Sequence, residues 1–242
     1  WLESGVVDQT LWPANLATWS AFDLDINPND IHFTGISMVP DSSASYLGLF
    51  KDCGSGSNQF AQIIPENTAL AVSQNCGNMA AWYKNFTKYL GKQNKGKTHQ
   101  SQLAALNVNP AEWIGFTDGE IGTFYSDGAQ TSAQSKNGFI RISSLEAALP
   151  VLQKSSGEYS EIYRDISLKK LTSRHALPLI YGKIFSFLSE PYWFTHGNWV
   201  IFCNDLANAK STINSLLSEK TWANQSDFEA VESLRDSDAN IL

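Results

Sequence analysis

The chain has 242 residues, 43% hydrophobic and 17% charged, a balance that supports a packed core and excludes a disordered polymer. Seventeen basic side chains against twenty-four acidic ones leave a formal charge of −7, which speaks against nucleic acid as a main partner, since no basic stripe remains to neutralise phosphates. No uninterrupted apolar run reaches the roughly 18 residues of a membrane-spanning helix, and the length suits one α+β region or two subdomains, residues 1–110 and 111–242.

Residues 1–15 carry weak signals. Trp19–Ile26 (WSAFDLDI) alternates apolar and polar, Asn27-Pro28-Asn29-Asp30 is a strong turn, and Ile31–Met38 (IHFTGISM) alternates again, so a β-hairpin is expected. Gly35 marks a place where the phase can slip in a bulge. Pro40-Asp41-Ser42-Ser43 leads to a short helix over 44–51, and 51–60, rich in Gly and Ser, reads as loop. Residues 67–74 (NTALAVSQ) predict a buried strand. Asn78 can cap a helix running from Met79 to Leu90, whose Met79, Trp82, Tyr83, Phe86 and Leu90 share one face. Residues 91–99 (GKQNKGKTH) read as a solvated polar loop and 101–106 as a short helix. Asn109-Pro110-Ala111-Glu112 is a helix start, with proline at the first helical position.

A strand is expected over 121–125, a long polar loop over 126–137, and a return strand over 139–142. Ser143 with Glu146 forms a capping box for a helix whose inner face holds Leu145, Ala148, Leu149 and Leu152, with Pro150 as a kink or early end. Residues 161–168 (EIYRDISL) read as one alternating strand, and 176–188 has no assignable period. Tyr192–Phe194 and Trp199–Cys203 flank a Gly197-Asn198 turn, Asn204-Asp205 supplies a cap, and Leu206, Ala209, Ile213, Leu216 and Leu217 follow at helical spacing. Trp222 anchors a turn, and Ser226 with Glu229 opens a last helix over 227–234. The chain begins at Trp1 rather than Met and stops as an apolar run, Ala239-Asn240-Ile241-Leu242, is beginning. The natural protein is therefore expected to continue, with any signal peptide or lipid anchor upstream.

Three stretches share the order strand, turn, strand, helix: 19–51, 121–152 and 192–217. Their spacing is irregular, which rules out a solenoid of fixed period. The predicted fold class is α+β: antiparallel sheets with helices packed on one face, built from repeated β-hairpin–helix units.

Reactive groups are scattered. His32, His99, His175 and His196 lie apart from one another and from the cysteines, so neither metal nor cofactor is implied. Gly54-Ser55-Gly56-Ser57 lacks the pattern and the preceding apolar strand of a nucleophile elbow. Asp118 and Glu120, flanking Gly119, are either the two carboxylates of a glycoside-cleaving site or ordinary turn residues. Trp193 and Trp199, on either side of one hairpin turn, are either a stacking platform for a sugar or partner, or core. Cys53 and Cys76 are either bridged, closing a loop of about 24 residues, or free loop thiols. Cys203 ends an apolar strand as a small buried hydrophobe.

The C-terminal YWFTHGNWVIFCNDLANAKSTINSLLSEKTWANQSDFEAVESL, together with FDLDINPNDIHFTGIS, YLGLFKD and Ile64-Pro65-Glu66-Asn67-Thr68 ahead of a strand, resembles a family of exported bacterial proteins of unknown function. The resemblance covers well over half the chain. It implies export across the inner membrane, attachment in the envelope and an α+β domain, and it brings no catalytic residues. The function expected is that of a non-enzymatic periplasmic or outer-membrane-associated domain that binds another protein or envelope component, or scaffolds a larger protein. The alternative is a carbohydrate-binding or glycoside-cleaving module.

Overall fold

A computed structural model of the chain describes residues 16–26, 31–40, 45–126, 136–173, 175–226 and 228, with the side chains of 31–34 left out. Strands β1 (Trp19–Ile26) and β2 (Ile31–Met38) have the bounds that their alternation predicts. They pair antiparallel from Ile26↔Ile31 to Trp19↔Met38 and form a two-stranded sheet of their own. The helix expected after them is a five-residue 3-10 turn, Tyr46–Phe50. So short a run, with Gly48 at its centre, is too little to nucleate an α-helix. The turn at 27–30, the lead-in at 41–44, most of the long loop after β4 and the last predicted helix, 227–234, lie outside the described residues.

The remaining strands are β3 (Thr68–Asn75), β4 (Thr117–Ser126), β5 (Lys136–Ile142), β6 (Ser156–Tyr163), β7 (Ile166–Leu171), β8 (Tyr192–His196) and β9 (Trp199–Cys203). They make one antiparallel sheet in the order β3-β4-β5-β9-β8-β7-β6. With helices α1 (Met79–Lys92), α2 (Gly96–Ala105), α3 (Pro110–Phe116), α4 (Leu145–Lys154), α5 (Ala176–Tyr181) and α6 (Leu206–Leu217), the fold is α+β. A division near residue 110 would separate β3 from β4, its hydrogen-bonded neighbour.

Two of the predicted hairpin–helix units, β4–β5–α4 and β8–β9–α6, join at the centre of this sheet. There β5 pairs with β9 from Asn137↔Cys203 to Arg141↔Trp199. Strand β9 (WVIFC) is buried at every position, so both faces of the sheet must be covered there. One face packs Ile121, Ile140, Trp193, Val200 and Phe202 against α1, α3, α4 and α5. The other packs Phe124, Phe139, Phe194, Trp199 and Ile201 against α6 and the segment that holds Phe60, Ile63 and Ile64. Helices therefore gather on one face as expected, except α6, which the two-sided apolar β9 draws to the opposite face.

Side-chain caps explain several helix starts: Asn78 Oδ1 accepts from Ala81 N at 3.0 Å, Asn109 Oδ1 from Ala111 N at 3.1 Å and Asp205 Oδ1 from Asn208 N at 3.0 Å. For α4 the cap is Ser144, one residue later than the predicted Ser143; its Oγ accepts from Ala147 N at 3.1 Å. The helix runs past Pro150 to Lys154.

Two local expectations change. The basic run 91–99 is not all loop, because α2 starts at Gly96 and His99 is buried, its Nε2 2.7 Å from Leu179 O and its ring edge-on to Phe86. One face contact is enough to fold a run whose sequence looks solvated. The single strand expected over 161–168 is a hairpin: Arg164 and Asp165 take φ of 47° and 65° between the paired Tyr163 and Ile166. Two consecutive left-handed residues make a tight turn that needs no glycine. The reversal leaves Ile162 in solvent, 75% exposed, while Leu168 is fully buried.

Gly122 in β4 lies beneath the Phe139 ring: a Cβ there would sit 2.2 Å from Phe139 Cζ and 2.3 Å from Val72 O. The ring can shift, but the carbonyl belongs to the β3–β4 ladder. Gly122→Ala is expected to lower the unfolding free energy in urea by about 3 kcal/mol. Gly91→Ala, with nothing within 4 Å of the new Cβ, should leave it unchanged or raised. Equal stability of the Gly122 variant and the parent chain would contradict this packing.

Candidate functional site

The polar chemistry of the molecule gathers where the Gly/Ser-rich segment 53–60 crosses the ends of β3, β4 and β5. Strand β4 begins at Thr117, earlier than its alternation predicts, and carries a bulge: its register with β5 moves from Thr117↔Ile142 to Ile121↔Ile140, so extra residues stand on β4. Gly119 takes φ of 74°, and a Cβ there would lie 2.8 Å from Cys76 O. Only glycine fits that turn and that approach. The bulge turns both Asp118 and Glu120 toward Arg141 on β5.

Glu120 is fully buried. Its carboxylate accepts from Gln59 N at 2.9 and 3.2 Å, Phe60 N at 3.1 Å, Ser73 Oγ at 3.0 Å and Arg141 Nη1 at 3.3 Å. Arg141 donates from Nε to Asp118 O at 2.9 Å and lies 3.1 Å from Asp118 Oδ2, while its Nη1 donates to Ser57 O at 3.0 Å. Asn75 Nδ2 donates to Gly56 O at 2.9 Å and Ser57 O at 3.0 Å. Burial pushes the Glu120 carboxyl above the usual carboxylate range; the Gln59 amide, Arg141, Ser73 and the Phe60 amide pull it back down.

This arrangement is a latch rather than an acid–base pair. One guanidinium serves both carboxylates, and the buried one is saturated by amides of the segment it holds. A glycoside-cleaving pair must instead present both carboxyl groups to a sugar. Sequence reasoning picked out Asp118 and Glu120 but missed Arg141, Ser73 and the Gln59 and Phe60 amides. Arg141 stands in the otherwise apolar FIRI of β5, and a lone cation in a buried strand is the signal that was available.

The two tryptophans do not form a platform. Trp193 and Trp199 are each 2% exposed and belong to opposite faces of the sheet, Trp193 with Ile140 and Val200, Trp199 with Phe139 and Ile201. The Trp193 indole N–H is satisfied inside, 2.9 Å from Ser156 Oγ. Burial on both faces of β8–β9 puts both rings in core.

Cys53 and Cys76 come together beside the latch. Both are buried free thiols, 3% and 2% exposed. Cys53 Sγ donates to Leu49 O at 3.3 Å and Cys76 Sγ to Asn78 O at 3.3 Å. Each thiol acts on the other: the neighbouring Cys76 pushes Cys53 up, and burial adds to it, while the neighbouring Cys53 holds Cys76 below the ordinary thiol range against the opposing effect of burial, with backbone groups at Asn78 and Trp82 lowering it further. Cys203 lies elsewhere, fully buried, with its thiol pushed up by burial. The histidines are dispersed: His99 packs in the core, His175 precedes α5 and His196 ends β8. Among the described residues no group of three or more His, Cys, Asp or Glu could hold a metal ion.

Glu120→Gln keeps the shape but turns one acceptor oxygen into an NH2 donor, set against the Gln59 and Phe60 amides, the Ser73 hydroxyl and Arg141, all of which donate. It is expected to lower stability at neutral pH by about 3 kcal/mol, read by urea unfolding. The pH dependence has a definite sign. A carboxyl raised in the folded chain releases its proton first in the unfolded chain, so its contribution is full below about pH 4.3 and declines as pH rises through the higher folded value. The stability advantage of the parent over Glu120→Gln should therefore shrink from pH 4 toward neutrality. An advantage that grows over that range would contradict the raised carboxyl.

Compared with protein-family models, with curated proteins and with solved structures, the chain matches none.

Proposed function

We propose that this chain is a non-enzymatic, partner-binding domain of an exported bacterial protein, and that it docks through the β1–β2 ribbon. One observation carries the reading. The ribbon places Trp19, Phe22, Leu24, Ile26, Ile36 and Met38 in solvent, each between 51% and 67% exposed. The register puts Phe22, Leu24 and Ile26 on one face of the ribbon and Trp19, Ile36 and Met38 on the other, and chains seldom leave so many large apolar side chains in water unless a partner covers them. Among the described residues no further strand pairs with this two-stranded sheet, and a ribbon of two strands is marginal by itself. The chemistry it fits is a protein that offers an apolar β-edge, so that backbone ladder and side-chain burial act together.

The charge of −7 speaks against nucleic acid as that partner. No helix among the described residues is long and apolar enough to cross a membrane. Export and an envelope location are drawn from the resemblance carried by FDLDINPNDIHFTGIS, the ribbon's own sequence, and by Ile64-Pro65-Glu66-Asn67-Thr68. The carbohydrate reading has no observation in its favour, since its tryptophans face away from each other inside the core and its glutamate is buried under the latch.

The test is a photo-activatable cross-linking side chain placed at Leu24 or Ile36 of the chain expressed in the bacterial envelope, with Lys97 on exposed α2 as the control position. A discrete protein adduct from the ribbon positions, lost on Phe22→Ser and absent from Lys97, is expected. No ribbon adduct, or the same adduct from Lys97, would contradict the proposal. Phe22→Ser itself should change stability by less than about 1 kcal/mol, because the side chain is 59% exposed.

A further inference from the structure

We infer that Cys53 and Cys76 are a disulfide-forming pair, with Cys76 as the attacking thiol and Cys53 as the resolving one, whose oxidation fastens the segment 53–60 to the end of β3. The inference is independent of the docking proposal. It stands first on backbone placement. Gly77 N donates to Gly54 O at 3.2 Å, so the residues directly after each cysteine are hydrogen-bonded to one another. A Cβ on Gly77 would lie 3.3 Å from Cys53 O and 2.9 Å from Ser55 O, so the two backbones approach as closely as glycine allows. Cys76 N is held by Gly119 O at 2.9 Å, and both side chains enter one core cluster with Leu49, Met79 and Trp82. The backbone therefore sets the two cysteines side by side in a fixed frame, with both side chains in the same cluster.

The two thiols are also unequal. Cys76 lies just before the Asn78 cap of α1, where the Cys53 thiol and backbone hydrogen bonds at Asn78 and Trp82 favour its thiolate. Cys53 is the one buried position in the run Lys51 to Ser55, whose other residues are exposed, so a local lifting of that run uncovers the pair. The reaction needs a disulfide as oxidant, RS–SR. The Cys76 thiolate attacks one sulfur and expels RS⁻, leaving Cys76–S–SR. Cys53 gives up its proton and attacks the Cys76 sulfur, expelling the second RS⁻. Two thiols of the chain become one disulfide, and two electrons and two protons leave with the donor as two RSH. The closed loop, residues 53 to 76, contains the amides that bind Glu120, so oxidation reinforces the latch.

The test equilibrates the reduced chain with excess oxidised glutathione at pH 8, both folded and during refolding from denaturant, followed by acid quench, alkylation and peptide mass spectrometry. A cross-linked Cys53–Cys76 peptide pair lacking two hydrogens is expected, with Cys203 still alkylated. The oxidised chain should melt about 5–10 °C above the reduced one. Cys53→Ser and Cys76→Ser should each abolish that difference, and Cys203→Ser should keep it. Cys53 and Cys76 both alkylated or singly glutathionylated after either treatment, a bridge to Cys203, or equal melting of the two forms would overturn the inference.

Discussion

The structure depends on the pairing of β5 with β9. These strands are far apart in the chain, yet they form the centre of the sheet, and every residue of β9 is buried. An apolar strand of that kind cannot sit at an edge or face water on one side. It must be covered above and below. That requirement sends α4 and α6 to opposite faces although each follows a hairpin of the same design. It also splits the core into two clusters, one holding Trp82, Trp113 and Trp193 and the other Trp199. The aromatic rings need space, and Gly122 and Gly138 provide it: a Cβ at Gly138 would lie 2.7 Å from the Phe185 ring.

Around this two-sided core the polar groups have an anchoring role. The Glu120–Arg141 latch solves a local problem: the segment 53–60 crosses the sheet ends without regular structure, so its amides and carbonyls need partners. Glu120, Arg141 and Asn75 supply them. The cysteine pair lies where this segment meets the start of α1, and oxidation there would act on the same connection. Farther along, Glu66 N and Trp222 N bond to Lys220 O and Ile64 O at 3.0 and 2.8 Å, tying the chain after α6 to the same side. The ribbon is the exception to this economy. Among the described residues its apolar side chains have no such cover, and the proposed function follows from that contrast.

Sequence pattern alone reached the ribbon strands through their alternation, β9 through its continuous apolar run, and α1 and α6 through one apolar face and a side-chain cap. It failed where local signals conflicted. Arg164-Asp165 carries no glycine, so the alternation of EIYRDISL ran straight through a hairpin turn. The polar run that opens α2 hid His99, whose burial depends on α1 and α5, distant in sequence. The candidate site was only half visible. Asp118, Gly119 and Glu120 looked unusual, but their meaning came from Arg141 and the backbone of Gln59 and Phe60, contacts that no local pattern encodes. The proximity of Cys53 and Cys76 was an open alternative, because loop spacing does not say whether two thiols face each other. For Trp193 and Trp199 platform and core stayed open alternatives, because a hairpin turn between two aromatics looks the same whether its strands are central or at an edge.

The most direct test of this account is native-state hydrogen exchange across the sheet. If the β5–β9 pairing holds one cooperative core, amides of Phe139–Arg141 and Val200–Cys203 exchange together, only through global unfolding, while those of Trp19–Ile26 in the ribbon exchange far faster. Separate exchange of the β3–β5 half and the β6–β9 half, or β9 amides that exchange as fast as the ribbon, would contradict it.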